Sequence, residues 1–148
     1  MKNLAKLIAV LAVAVSVSLT TGCAVNRASA TVDPDAKLDG IKTVHVLKFD
    51  KDEHHTDAVI VDKLRARGYT VTTGAKPAGP VDAVVTYVDK WFWDITTYML
   101  ELTIVVREPK TDYPLASGNS FHTSMTRKSP PEMVDEVLGN IFKDAKKK

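Results

Sequence analysis

Hydrophobic and polar residues alternate along several stretches of this 148-residue chain. The clearest stretch is residues 97–107, where every second residue is apolar, and a two-residue period of this kind predicts a strand with one dry face. The apolar set is Tyr98, Leu100, Leu102, Ile104 and Val106. Residues 41–49, 69–73, 82–93 and 115–126 are rich in β-branched and aromatic side chains and predict four more strands. The first of these is apolar on both faces, which predicts an inner strand.

Two stretches show a helical period instead. Ile60, Val61 and Leu64 form a stripe within residues 56–67, and Gly68 follows as a C-cap. Near the C-terminus, residues 129–132 read Ser-Pro-Pro-Glu, a capping box, and six apolar residues follow at helical spacing. The predicted order is β-α-β-β-β-β-α, an α+β two-layer sandwich that has a mixed sheet with both helices on one face.

Residues 1–22 have the pattern of an export signal. Lys2 and Lys6 precede a thirteen-residue apolar run, whereas a membrane-spanning helix needs about 20 apolar residues. These two lysines account for the whole formal net charge of +2. The chain without them has no charge excess with which to neutralise phosphates, so composition argues against a nucleic-acid partner.

The signal ends in Leu19-Thr-Thr-Gly-Cys23, and Cys23 is the single cysteine of the chain. This segment resembles the lipobox of bacterial lipoproteins. The resemblance implies cleavage before Cys23, a diacylglyceryl group on its sulfur and an acyl group on its new amine. Ala24, in place of an aspartate, implies sorting to the outer membrane, facing the periplasm.

Residues 23–38 are mostly small or polar, without periodicity, and predict a flexible tether. Residues 39–148 then form one folded domain. The layout of signal, tether and domain resembles small proteobacterial lipoproteins that serve as accessory proteins of envelope assembly or transport machines. Residues 108–118, from Glu-Pro-Lys-Thr-Asp to Leu-Ala-Ser-Gly, are similar to a hairpin of those proteins. This resemblance implies a role in binding a partner and transfers no catalytic residue.

His54 and His55 are candidate metal ligands, because Asp50, Asp52 and Glu53 lie beside them in the sequence. The alternative is a solvated polar loop that caps the first helix. No GxSxG, GxxxxGK[ST] or GxGxxG motif occurs, so we predict no enzyme and no cofactor other than the covalent lipid on Cys23.

Three consecutive aromatic residues, Trp91, Phe92 and Trp93, lie in the predicted strand 82–93. In a regular strand Trp91 and Trp93 share one face and Phe92 takes the other. Either both tryptophans face outward as a partner-binding surface, or both pack in the core.

The leading interpretation is therefore a non-enzymatic, lipid-anchored periplasmic protein of the outer membrane that binds an envelope partner. Trp91 and Trp93, or an open sheet edge, would make the contact. A carrier or sensor of a lipid or other apolar ligand, and a metal-binding protein that uses His54 and His55, remain as alternatives.

Overall fold

A computed structural model describes residues 25–49 and 52–145 of the chain, with side chains as far as residue 143. It contains six strands, two α-helices and two short 3-10 turns. The strands are β1 (Asn26–Val32), β2 (Thr43–Leu47), β3 (Thr70–Gly74), β4 (Ala83–Asp94), β5 (Thr96–Arg107) and β6 (Pro114–His122). The helices are α1 (Thr56–Ala66) and α2 (Pro130–Ala145), and the 3-10 turns are Leu38–Gly40 and Ser124–Thr126.

The strands form one mixed sheet in the order β1-β6-β5-β4-β2-β3. β2 is parallel to both of its neighbours, and the other pairs are antiparallel. The helices contact each other and pack on one face, α1 over β2 and β3 and α2 over β1, β5 and β6. The predicted α+β fold, its mixed sheet and the inner position of the first predicted strand are confirmed.

The predicted helix ends are also confirmed. Glu132 accepts hydrogen bonds from the backbone N–H of Ser129 at 2.8 Å and from its hydroxyl at 2.7 Å, which starts α2. Gly68 has a φ of 92°, the left-handed conformation that ends α1. Neither helix has the length and apolar content that crossing a bilayer requires.

The prediction of a flexible tether over residues 23–38 is wrong for β1. Asn26–Val32 pairs with β6 along seven residues, so the chain is part of the sheet from Asn26 onward rather than from residue 39. An edge strand gains most of its stability from backbone hydrogen bonds and buries only one face. Ala30 and Val32 supply that face by packing against the core. The alternation of Ala28, Ala30 and Val32 with polar residues is weak in the sequence because two of the three apolar side chains are alanine. Cys23 and the predicted signal lie outside the described residues.

A bulge changes the apolar face of β5. Lys90 pairs with Glu101, but Trp91 pairs with Met99, so Leu100 is an extra residue and the bulge lies in β5. Met99 is therefore fully buried, whereas Leu100, assigned to the dry face by strict alternation, is only partly buried. Leu102, Ile104 and Val106 keep the predicted burial.

Gly118 in β6 allows α2 to approach the sheet closely. A Cβ at this position would lie 2.8 Å from Val137 Cγ1 and 3.0 Å from Ile141 Cγ1. Both of these side chains are fully buried, so they have little room to move.

We expect Gly118→Ala to lower the free energy of unfolding by about 1–3 kcal/mol, because the added methyl group overpacks the interface with α2. Gly139→Ala, on α2 with nothing within 4 Å of its Cβ, is the matched control. It should be neutral or stabilising by up to about 1 kcal/mol. Urea unfolding of both variants measures the difference, and equal stabilities would contradict the close packing at Gly118.

Candidate functional site

Trp91 and Trp93 have different environments. Trp91 is partly buried, donates from Nε1 to Asp89 Oδ2 at 2.8 Å and stacks on the His54 ring with centroids 3.7 Å apart. Trp93 is 71% exposed. Neither sequence-based alternative, both rings outward or both in the core, holds. The extra residue of the nearby register shift is Leu100 in β5, so Trp91 and Trp93 keep the regular alternation of β4. They differ because the His54 ring covers Trp91, whereas Trp93 lies at the end of the strand.

His54 and His55 belong to the loop that leads into α1. Asp52 accepts hydrogen bonds from the backbone N–H groups of His54 at 3.1 Å and Asp57 at 3.0 Å. His55 occupies the N-cap position with a φ of 54°. Within residues 25–49 and 52–145, no three His, Cys, Asp or Glu side chains are grouped so that they could hold a metal ion. The geometry is that of a polar loop that caps α1.

Side-chain hydrogen bonds fix this loop against β4. The Tyr87 hydroxyl donates to Asp52 at 2.6 Å, and the Thr56 hydroxyl donates to Asp89 at 2.6 Å. Burial and the hydrogen bond to Asp52 raise the pKa of Tyr87 far above its usual value. Burial raises the pKa of Asp52, but the hydrogen bonds donated by Tyr87 and by the loop backbone outweigh burial. The pKa of Asp52 is therefore below its usual value. Tyr87 therefore stays a neutral donor to an ionised Asp52 across the physiological range.

β4 extends beyond the three residues that pair with β2. β2 pairs only with Val85 and the two residues before it, although β4 continues to Asp94. Among the residues that the structure describes, no strand pairs with Thr86–Trp93 on that side. A groove of about 250 Å³ runs beside this edge, lined by Phe49, Asp52, Tyr87, Val88 and Asp89. Unpaired N–H and C=O groups beside an apolar groove can accept an additional strand.

The turn between β4 and β5 presents large apolar side chains to solvent. Phe92 is 53% exposed, Trp93 71% and Ile95 86%, and Met125 from the nearby 3-10 turn is 85% exposed. We call these four residues the hairpin end. The aromatic run was visible in the sequence, but the contribution of Met125 depends on a contact between distant parts of the chain.

Arg127 holds the two parts of the hairpin end together. Its guanidinium donates to the Asp94 carbonyl at 3.1 Å, to Thr96 Oγ1 at 2.6 Å and to Ser124 Oγ at 3.0 Å. It also lies 4.3 Å from the centroid of the Tyr98 ring. The Ser124 hydroxyl donates to the Asp94 carboxylate as well. The 3-10 turn and the β4–β5 turn therefore form one rigid unit.

A buried polar cluster joins α2 to β6. Glu136 accepts hydrogen bonds from Ser120 Oγ at 2.6 Å and His122 Nε2 at 2.8 Å, and it also pairs with Lys128. Burial raises the pKa of Glu136, but the bonds from Lys128, Ser120 and His122 outweigh this and lower it to about 2. Ser120 and His122 each bond the carboxylate, and Ser120 is fully buried. The arrangement therefore acts as a clamp, not as a serine activated by a histidine.

The comparisons with known proteins define the fold alone. No family model and no curated protein matches the sequence. Two solved structures of PelC dodecamers from Paraburkholderia phytofirmans are similar to this chain. One of them, a point variant, has 16% identity and a TM-score of 0.58, covering 78% of this chain and 96% of that one. The second has 15% identity and a TM-score of 0.57, covering 79% and 98%.

We expect Glu136→Gln to lower the free energy of unfolding by about 2–3 kcal/mol at pH 7. The folded pKa of about 2 lies below the ordinary value of 4.5, so the charged carboxylate stabilises the fold fully above pH 4.5. That contribution is lost as the pH falls toward 2. The gap between wild type and variant in urea unfolding should therefore close over this range.

Asp62→Asn on the exposed side of α1 is the control for this measurement. Its effect on the free energy of unfolding should be small, because the side chain is exposed. A Glu136→Gln effect that stays constant over the same range would contradict the ionised clamp.

Proposed function

We propose that this chain is a lipid-anchored, non-enzymatic lipoprotein of the periplasm that binds an envelope protein as an accessory subunit. Its resemblance to a lipobox at Cys23 supports the anchor and an outer-membrane location. A covalent lipid with two or more acyl chains holds a protein stably on a bilayer without a transmembrane helix.

The observation that carries the partner-binding role is the open edge of β4. An extended segment of a partner would pair with the backbone of Thr86–Trp93 and continue the sheet where β2 ends. The edge is accessible near Val88, which is 60% exposed.

The groove beside this edge indicates the chemistry of the partner segment. Phe49 and the Tyr87 ring meet edge to face, with centroids 5.2 Å apart, and offer an apolar contact. Asp52 and Asp89 also line the groove and carry negative charge. A segment with alternating apolar and basic side chains complements this arrangement, since successive side chains of a strand point to opposite sides.

A second copy of the chain is one such partner. The PelC structures with the same fold are dodecamers.

Site-specific crosslinking tests the proposed contact. A photoreactive phenylalanine derivative placed at Val88 of the full-length protein in its own cells should give a discrete adduct, because the partner backbone lies beside this residue. The same group at Asp62 on α1 should give none. The mass of the adduct separates a second copy from another protein.

Cys23→Ser provides the second arm of the experiment. This variant should fail to incorporate labelled palmitate and should lose most of the Val88 adduct, because it is no longer held beside the envelope partner. The proposal is wrong if Val88 gives no adduct while Asp62 does, or if Cys23→Ser still carries lipid.

A further inference from the structure

We propose that the hairpin end lies in the interface of the lipid bilayer and, together with the lipid on Cys23, sets the orientation of the domain. This inference rests on the proposed lipid anchor. Phe92, Trp93, Ile95 and Met125 would contact the headgroup region and the upper acyl chains.

Val25, the first described residue, is bonded to the 3-10 turn of the hairpin end. The Val25 carbonyl accepts hydrogen bonds from Thr123 Oγ1 at 3.2 Å, from the Thr123 N–H at 3.3 Å and from Thr126 Oγ1 at 3.3 Å. These donors flank and end the 3-10 turn that carries Met125. Cys23 precedes Val25 by two residues in the sequence, and two residues of fully extended chain span about 7 Å at most.

Hydrogen bonds connect Val25 to the hairpin end without a break. β1 holds Val25 by pairing Asn26 with His122, and Arg127 bonds the 3-10 turn to the β4–β5 turn. A lipid on Cys23 therefore brings the membrane surface to this end of the sheet and to no other.

Ile95 has an unusual backbone conformation and is highly exposed. It has a φ of 61° at the tip of the turn, where glycine, asparagine or aspartate is favoured and a β-branched residue is an outlier. It is also the most exposed large apolar residue described, at 86%. Isoleucine is unfavourable here for two reasons: its backbone conformation is strained, and its side chain is exposed to water. Contact of the side chain with an apolar phase removes the cost of exposure to water.

The chemistry of the four residues favours a bilayer over a protein surface. They project from a turn and do not line a groove, and tryptophan is enriched at the boundary between headgroups and hydrocarbon. A lipid chain combined with an inserted apolar tip gives the two signals that fix a domain on a membrane. β4 extends away from this end of the sheet, so Val88 lies about 16 Å along the strand from Trp93. Val88 is therefore clear of the headgroups and accessible to a partner.

The test places a fluorescent label at the hairpin end of the full-length, processed protein. Because the lipid occupies the Cys23 thiol, Ile95→Cys adds a single reactive thiol. Lys110→Cys is the matched control, since it lies in the exposed turn between β5 and β6 at the opposite end of the sheet. Each protein is reconstituted into vesicles of equimolar phosphatidylethanolamine and phosphatidylglycerol that contain a phospholipid with a quencher on its upper acyl chain.

We expect the label at position 95 to be quenched several-fold more strongly than the label at position 110. Tryptophan fluorescence provides a measurement without a label or a thiol. The chain has two tryptophans, and quenching by the same lipid should be seen in wild type and largely lost in Trp93→Phe, which retains Trp91.

Mass spectrometry of the N-terminal peptide from the same samples separates the two proposals. If Cys23 carries lipid but both labels are equally unquenched, the inference is wrong and the anchor stands. If the label at position 95 is shielded from an aqueous quencher but not quenched by the lipid, a protein covers the hairpin end, and the inference is also wrong. If Cys23 carries no lipid, the anchor and the inference fail together.

Discussion

Seven residue pairs join β1 to β6, and this ladder determines where the N-terminal end of the folded domain lies. A free tether would let the domain sample many orientations and distances from a lipid at Cys23. A paired strand removes that freedom, because backbone hydrogen bonds fix the direction of the chain up to Asn26. The proposed orientation, the accessibility of the β4 edge and the contact of the hairpin end with lipid all depend on this pairing.

The same region of the molecule contains its buried polar cluster. β6 pairs with β1 on one side, and its His122 and Ser120 bond to Glu136 of α2. Gly118 of the same strand lets α2 pack closely. β6 therefore links the edge strand, the helix layer and the 3-10 turn that follows it. Loss of the Glu136 clamp or of the close packing at Gly118 would loosen the support of β1 as well as the core.

The sequence was sufficient to predict the elements that bury large side chains. Alternation of apolar residues predicted β5, and the capping box predicted the start of α2. β1 was missed because Asn26–Val32 consists mostly of small and polar residues, and its partner strand lies almost a hundred residues away. Met99 is buried in place of Leu100 because of the extra residue in β5, and single-residue bulges leave no mark in a hydrophobic pattern. Trp91 is covered by the His54 ring, and the hydrophobic pattern does not show this contact. The sequence holds one signal for the hairpin end. Ile95 lies in the turn between β4 and β5, where small polar residues are usual.

Hydrogen exchange of the β1 amides in the lipidated protein tests the account most directly. If β1 is a sheet strand in the anchored protein, about every second amide between Arg27 and Val32 should exchange orders of magnitude more slowly than in an unfolded peptide, as expected for one paired edge. Uniform exchange at the unfolded rate across these residues, with β5 still protected, would contradict it. The domain would then hang on a flexible tether.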